Sequence, residues 1–222
     1  MGQTILTPKQ FDFLQLAQTQ PSIIKNFYLT GGTALAEFYL HHRLSEDIDL
    51  FSETKEVDPK VVEAFLKKHT RKLGVQEIKK SQFLGLLSYK LVYQDGEQLK
   101  VDFNYYPFPR IESGIKYQKI SIDSLRDIAA NKLHTLFMKP RVRDYIDLYF
   151  IIKKANYPLK DLILDAKAKF DWHIDRVNLA SQFLKVKGLP ELPQMLVPFS
   201  RKAMEKFFLK LAKSLEKDIF KN

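Results

Sequence analysis

Residues 29–51 read LTGGTALAEFYLHHRLSEDIDLF: the end of a strand, a glycine pair, a helical stretch and a second strand carrying two acids. The apolar run Phe27-Tyr28-Leu29 stops at Gly31-Gly32 as a strand stops at a tight turn, and residues 33–42 then place Leu35, Phe38 and Tyr39 on one side of a predicted helix. Two adjacent glycines at a strand-to-helix turn let backbone approach a ligand closely, and the amides at the helix start favour phosphate. Ile48–Phe51 predicts the second strand. Side chains two apart in a strand share a face, so Asp47 and Asp49 lie about 6–7 Å from each other while Ile48 and Leu50 turn to the core. Two carboxylates so placed repel unless a cation sits between them. A hard divalent ion such as Mg2+, which also bridges triphosphate oxygens, meets that need. The plain alternative is a solvated strand end that carries two acids.

Working outward, Thr7-Pro8 predicts a capped helix with Phe11, Leu14 and Ala17 on one face up to about Gln20. Asp58-Pro59 opens another helix to about Leu73. Residues 83–93 and 99–105 flank Asp95-Gly96, a strong hairpin signal. In the second arm Leu99, Val101, Phe103 and Tyr105 alternate with Lys100, Asp102 and Asn104, so Asp102 leaves the apolar face for solvent or a cleft. If this strand pairs beside the Asp47 strand, three acids converge, which would suit a two-metal site for in-line phosphoryl or nucleotidyl transfer.

From Ser121 onward the pattern is helical: 122–138, 141–154 after Pro140, 159–170, 175–185, and a last helix from about Ser200 with Met204, Phe207, Phe208, Leu211, Leu215 and Ile219 at three- and four-residue steps. Leu189–Pro198, with three prolines, reads as a linker. The expected architecture is a mixed-sheet α/β domain over residues 1–120 and an all-helical domain over residues 121–222 with a basic C-terminal helix.

The 222 residues carry a formal charge of +10, and residues 150–222 hold 15 Lys or Arg against 8 Asp or Glu, which points to a polyanionic partner or a lysine-rich solvated surface. The absence of cysteine excludes disulfides, thiolate metal sites and a cysteine nucleophile. No apolar run approaches the roughly 20 residues of a membrane span, and residues 1–10 lack a signal-peptide pattern, so a cytoplasmic protein without a membrane partner is expected. His41 and His42 have no metal-ligand spacing to another histidine and read as structural. Trp172 reads as core or as a base-stacking ring.

The string Gly31-Gly32-Thr33-Ala34-Leu35-Ala36, then Arg43-x-Ser45-x-Asp47-Ile48-Asp49-Leu50-Phe51, resembles the first motif of the polymerase-β-like nucleotidyltransferases, and more narrowly the AbiEii-type toxins of abortive-infection systems. Asp127-Ile128-Ala129-Ala130-Asn131-Lys132-Leu133 followed by Arg143-Asp144-Tyr145-Ile146-Asp147-Leu148 is similar to the lysine-bearing helix and the Arg-Asp-x-x-Asp-Leu segment of those toxins. The resemblance spans residues 27–152.

That resemblance implies Gly32, Thr33 and Ser45 as nucleotide or phosphate contacts, beside Gly31 of the glycine pair, Asp47 and Asp49 as metal ligands, and Lys132 as the triphosphate-binding cation. Asp102 stands as a third metal or catalytic acid. Arg43 either contacts phosphate or buttresses the Asp47 loop. A later acid is Asp144 or Asp147, with Asp144 nearer the favourable helix start. The implied activity is Mg2+-dependent transfer of a nucleoside monophosphate from a triphosphate, in a cleft between the domains, to the 3′ end of tRNA or another RNA. A cognate antitoxin protein is the implied partner. Rival readings are transfer to a small molecule or a protein hydroxyl, and a catalytically inactive relative that binds nucleotide or a partner protein.

Overall fold

The computed structural model describes residues 4–138, 140–189 and 192–219. The chain divides into two compact units, one of Met1–Tyr39, Leu44–Pro109 and Ser113–Ser124, the other of Leu40–Arg43, Arg110–Glu112 and Leu125–Asn222. No helix of the described residues is long and apolar enough to cross a membrane.

The first unit is a seven-stranded mixed sheet with helices. Helix α1 (Pro8–Ala17) starts at Thr7, whose hydroxyl accepts from the Gln10 amide while the Gln10 side chain accepts from the Thr7 amide. It ends before Gln20, and an unexpected α2 (Pro21–Asn26) follows. Pro21 opens that helix, since its fixed φ suits a first turn and its missing N–H has no partner to lose there. Then come β1 (Tyr28–Thr30), α3 (Gly31–Leu35) running on into a π turn at Ala36–Leu40, β2 (Asp47–Ser52) and α4 (Pro59–Leu73), capped by the Asp58 carboxylate.

Strand β3 (Val75–Phe83) is a further departure from expectation, because its residues are almost all exposed and show no apolar alternation. A polar edge strand of this kind resists edge-to-edge association and hides its own sequence signal. Phe83 thus ends β3 rather than opening the next strand, and a turn at Leu84-Gly85 leads to β4 (Leu86–Tyr93). β5 (Gln98–Tyr105) returns antiparallel with Tyr93 bonded to Glu97 across Gln94-Asp95-Gly96, a three-residue loop with Gly96 at φ 84°. The left-handed glycine is what that loop demands.

β6 (Lys116–Tyr117) and β7 (Ile120–Ile122) complete the order β3-β4-β5-β2-β1-β7-β6. The helical pattern expected from Ser121 therefore begins later, at Leu125, because β7 pairs parallel with β1. β2 sits between β1 (antiparallel) and β5 (parallel). Ile48, Leu50, Leu29, Val101 and Phe103 are fully buried beside Phe13, Leu14 and Phe65.

The second unit is helical: α5 (Leu125–Met138), α6 (Val142–Ala155), α7 (Leu159–Phe170), α8 (Arg176–Leu184), α9 (Arg201–Ser214) and α10 (Glu216–Ile219). Leu133, Tyr145, Leu148, Leu179, Phe183, Met204 and Phe208 fill its core. Of the expected linker 189–198, residues 190 and 191 lie outside the described residues. The rest is tied down, since Met195 bridges Arg43 and the Leu196 amide donates to the His42 carbonyl at 2.9 Å.

Candidate active site

On β2 the burial alternates, with Ile48, Leu50 and Ser52 buried and Asp47, Asp49 and Phe51 partly exposed. The two acids thus share the accessible face. Thr33 is buried and its hydroxyl donates to the Asp47 carbonyl, fixing the main chain at the start of the strand. Half-buried Ser45 has its carbonyl held by the Gln10 side-chain amide at 2.8 Å. Gly31 has φ 72°, and a Cβ built there would fall 2.1 Å from Asp49 Oδ2. The Asp49 carboxylate therefore lies against bare backbone at the head of α3, a place no side chain other than glycine's can leave open. Gly32, half-buried, follows it.

The strand of Asp102 does pair beside that of Asp47: Asp49 stands opposite Asp102, and Asp47 opposite Lys100. Neighbouring strands lie about 4.8 Å apart, so the three acids occupy one face over two strands. Asp102 is buried, however, and already engaged: Ser88 donates to it at 2.6 Å and the Lys100 ammonium bonds its other oxygen. Among the described residues no group of three or more histidines and acids is arranged to hold a metal ion. The donor set that fits a divalent cation is the Asp47/Asp49 pair. Mg2+ is commonly held by one or two carboxylates together with water and substrate phosphates rather than by an all-protein cage, so this pair suits it without a third acid.

The remaining sequence-derived residues gather in the helical unit around Asp147. This carboxylate is fully buried on α6. The Arg43 guanidinium forks onto it, Nε to Oδ1 at 2.7 Å and Nη2 to Oδ2 at 2.8 Å, and His42 Nε2 lies 2.9 Å from Oδ1. Lys132 Nζ, on α5, sits 2.7 Å from Asp147 and 2.8 Å from Asp144. Asp144 also accepts from the Arg141 amide at 3.0 Å.

Burial works against every charge here, yet partners outweigh it. For Asp147, burial pushes the pKa up, but Lys132, Arg43 and the donated hydrogen bonds hold it well below the usual carboxylate value. Asp144 is lowered in the same way, against burial, chiefly by Lys132. Burial disfavours the Lys132 ammonium, and Asp147 with Asp144 more than restore it, raising its pKa. Burial dominates only at His42, which is lowered and thus neutral at pH 7, so its Nε2 carries the proton toward Asp147. The 2 % exposure of Arg43 places its fork on Asp147.

The candidate residues therefore form two groups: Gly31, Gly32, Thr33, Ser45, Asp47, Asp49 and Asp102 in the sheet unit, and Arg43, Lys132, Asp144 and Asp147 in the helical unit. Sequence reasoning missed Ser88 and Lys100 on Asp102, and His42 on Asp147. It also missed Lys169, fully buried on α7, whose ammonium bonds Asp127 Oδ1 at 2.6 Å while the Ile111 and Glu112 amides donate to the same carboxylate. The available signal was a lysine in an otherwise apolar helical stripe beside Ala166 and Phe170. Trp172 packs edge-on against His134 and Phe137.

A family model described as nucleotidyl transferase AbiEii toxin, type IV toxin–antitoxin system, matches residues 16–218. An uncharacterized protein of Aquifex aeolicus (strain VF5) is 30% identical over 151 residues, 67% of this chain and 68% of that protein. The crystal structure of JHP933 from Helicobacter pylori superposes with a TM-score of 0.57 at 19% identity, over 96% of this chain and 94% of that one, which extends the shared fold across both units.

Proposed function

This chain belongs to the family of AbiEii nucleotidyl transferase toxins, and from that premise we propose that it moves a nucleoside monophosphate from a Mg2+-bound triphosphate to a hydroxyl at the 3′ end of an RNA, with tRNA the first acceptor to test. The observation that carries the reading is the Asp47/Asp49 pair on the open face of β2, with Asp49 laid against the bare backbone of Gly31.

Asp47 and Asp49 would hold the metal, which when bound would supply positive charge to offset that of the triphosphate. Gly31 leaves room for the Asp49 carboxylate, Gly32 carries no side chain to hinder phosphate at the main chain, Ser45 adds a hydroxyl, and Thr33 keeps Asp47 in place. Asp102, steadied by Ser88 and Lys100, orients the acceptor hydroxyl. That oxygen, its proton passing to solvent, bonds to the α-phosphorus as the α–β bridge breaks, and pyrophosphate leaves with the electron pair. Lys132 is the proposed cation for the triphosphate. Asp144 and Asp147 keep its ammonium charged, and Arg43 and His42 keep Asp147 in position. A cognate antitoxin is the proposed protein partner, in keeping with the type IV description of the family.

The test is incubation of the purified chain with Mg2+, each nucleoside triphosphate labelled at its α-phosphate, and total tRNA, alongside Asp47→Asn/Asp49→Asn. Label on tRNA with the intact acids alone is the expected result. Label on the protein itself or on a small molecule would keep the chemistry and discard the acceptor. Triphosphate bound without any transfer would discard the enzyme reading.

A further inference from the structure

We propose that the hollow between the end of α6 and the start of α9 docks one unstacked nucleotide of single-stranded RNA. This inference rests on the RNA acceptor proposed above and names where that acceptor is gripped. The hollow measures about 280 Å³ and is walled by Tyr149, Phe150 and Phe199, with Lys153, Lys154 and Ser200 at its margin. Tyr149 and Phe150 meet edge-on at 5.3 Å between centroids, and the Phe199 ring lies 6.1 Å from Phe150 and 6.3 Å from Tyr149. Phe150 and Phe199 are only half-buried, so ring surface stays in reach of a ligand. Lys153 Nζ stands 5.0 Å from the Tyr149 centroid and 3.3 Å from its hydroxyl, which sets an exposed ammonium at the lip of the aromatic wall.

Charge and shape together select the occupant. From the same margin α9 carries Lys202, Lys206, Lys210 and Lys213, an exposed stripe at steps of four, four and three residues, and Glu205 is the one acid in Arg201–Ser214. Steps of that size keep side chains on one helix face. A row of ammonium groups tracks successive phosphates, and an aromatic wall offers a stacking face to any base. The volume suits a single nucleoside, near the lower bound of about 300 Å³ for small-ligand sites. A base inside a duplex is already stacked and cannot enter, which selects a single strand.

The experiment follows the fluorescence anisotropy of an end-labelled single-stranded RNA of about 12 nucleotides, titrated with the full chain over a series of salt concentrations. Lys153→Glu/Lys154→Glu should weaken binding about tenfold or more. It should also flatten the slope of log affinity against log salt by about 1.4, two phosphates at about 0.7 each. Phe199→Ala, which leaves the charges untouched, should weaken binding about fivefold or more. Lys67→Glu/Lys68→Glu, an equal charge change on two exposed lysines of α4, should stay within about twofold of the parent.

Unchanged affinity in the α6 and Phe199 variants overturns the proposal. So does an equal loss in the α4 variant, or a duplex RNA or polyglutamate binding as tightly as the single strand. Asp47→Asn/Asp49→Asn separates the two readings, since it should keep RNA affinity while losing transfer. If the parent chain transfers nothing and the hollow variants still lose RNA, the transfer chemistry fails and the docking site stands.

Discussion

Replacing Asp147 by alanine removes an anion that the Arg43 guanidinium, the His42 ring and the Lys132 ammonium share. Asp147 is fully buried and Arg43 is 2 % exposed, so bulk water does not solvate the cations left behind. Removing one partner of a buried ion pair costs about 3–5 kcal/mol, because the stranded charge keeps its desolvation penalty. For a chain of this size that corresponds to a fall in Tm of about 6–20 °C, at about 2–4 °C per kcal/mol. Asp144→Ala should cost less, about 1–3 kcal/mol, since Lys132 retains Asp147 and the Arg141 side chain is largely exposed. Urea unfolding followed by the fluorescence of Trp172, the single tryptophan, reads the helical unit directly. The double variant Arg43→Met/Asp147→Leu should recover a large part of the loss, because it removes both charges and refills the volume. A cost under about 1 kcal/mol for Asp147→Ala, or a larger cost for Asp144→Ala, would refute the electrostatic account.

Asp47→Asn/Asp49→Asn should lower transfer by about 1000-fold, the several kcal/mol that a metal contributes to the transition state. Gly31→Ala should cut transfer with a stability loss of only about 1–3 kcal/mol from its left-handed backbone, because the new methyl collides with Asp49 Oδ2 and displaces the carboxylate; full activity would show that Asp49 need not lie there. Burial lowers the pKa of His42, His69 and His134 below the ordinary 6.5. As pH falls through that value the unfolded chain takes up protons the folded one does not, so stability should decline between pH 7.5 and 5.5 and the urea midpoint with it. His42→Gln, which keeps a donor for Asp147, should lessen the decline; a midpoint that rises on acidification would contradict the assignment. Lys169→Met should destabilise by about 3–5 kcal/mol by taking a buried cation away from the Asp127 carboxylate, and Lys169→Met/Asp127→Leu should cost less.

What the sequence determined by itself is local. Gly31-Gly32 ends β1, the Asp-x-Asp spacing fixes one face of β2 because a strand alternates with period two, and Thr7, Asp58 and Ser200 announce the helices they cap. The apolar steps of α9 and the Asp95-Gly96 turn are equally legible, since each is set by residues within a few positions of one another.

Tertiary structure decided the rest, and register shows why. A two-residue turn at Asp95-Gly96 would have set Tyr89 opposite Asp102, whereas the three-residue loop sets Ser88 there, and a slip of one residue changes which side chain faces the acid. Whether β5 lay beside β2, and so whether Asp102 neighboured Asp49, depended on a pairing across more than fifty residues that no local pattern encodes. Strand β3 stayed hidden because an edge strand needs no apolar face, and β7 because three residues carry too short a period to read. The different surroundings of Asp144 and Asp147 had the same cause. On an isolated helix they differ only by distance from its N-terminus, and packing alone seats Asp147 against Arg43 and His42, brought from a hundred residues away.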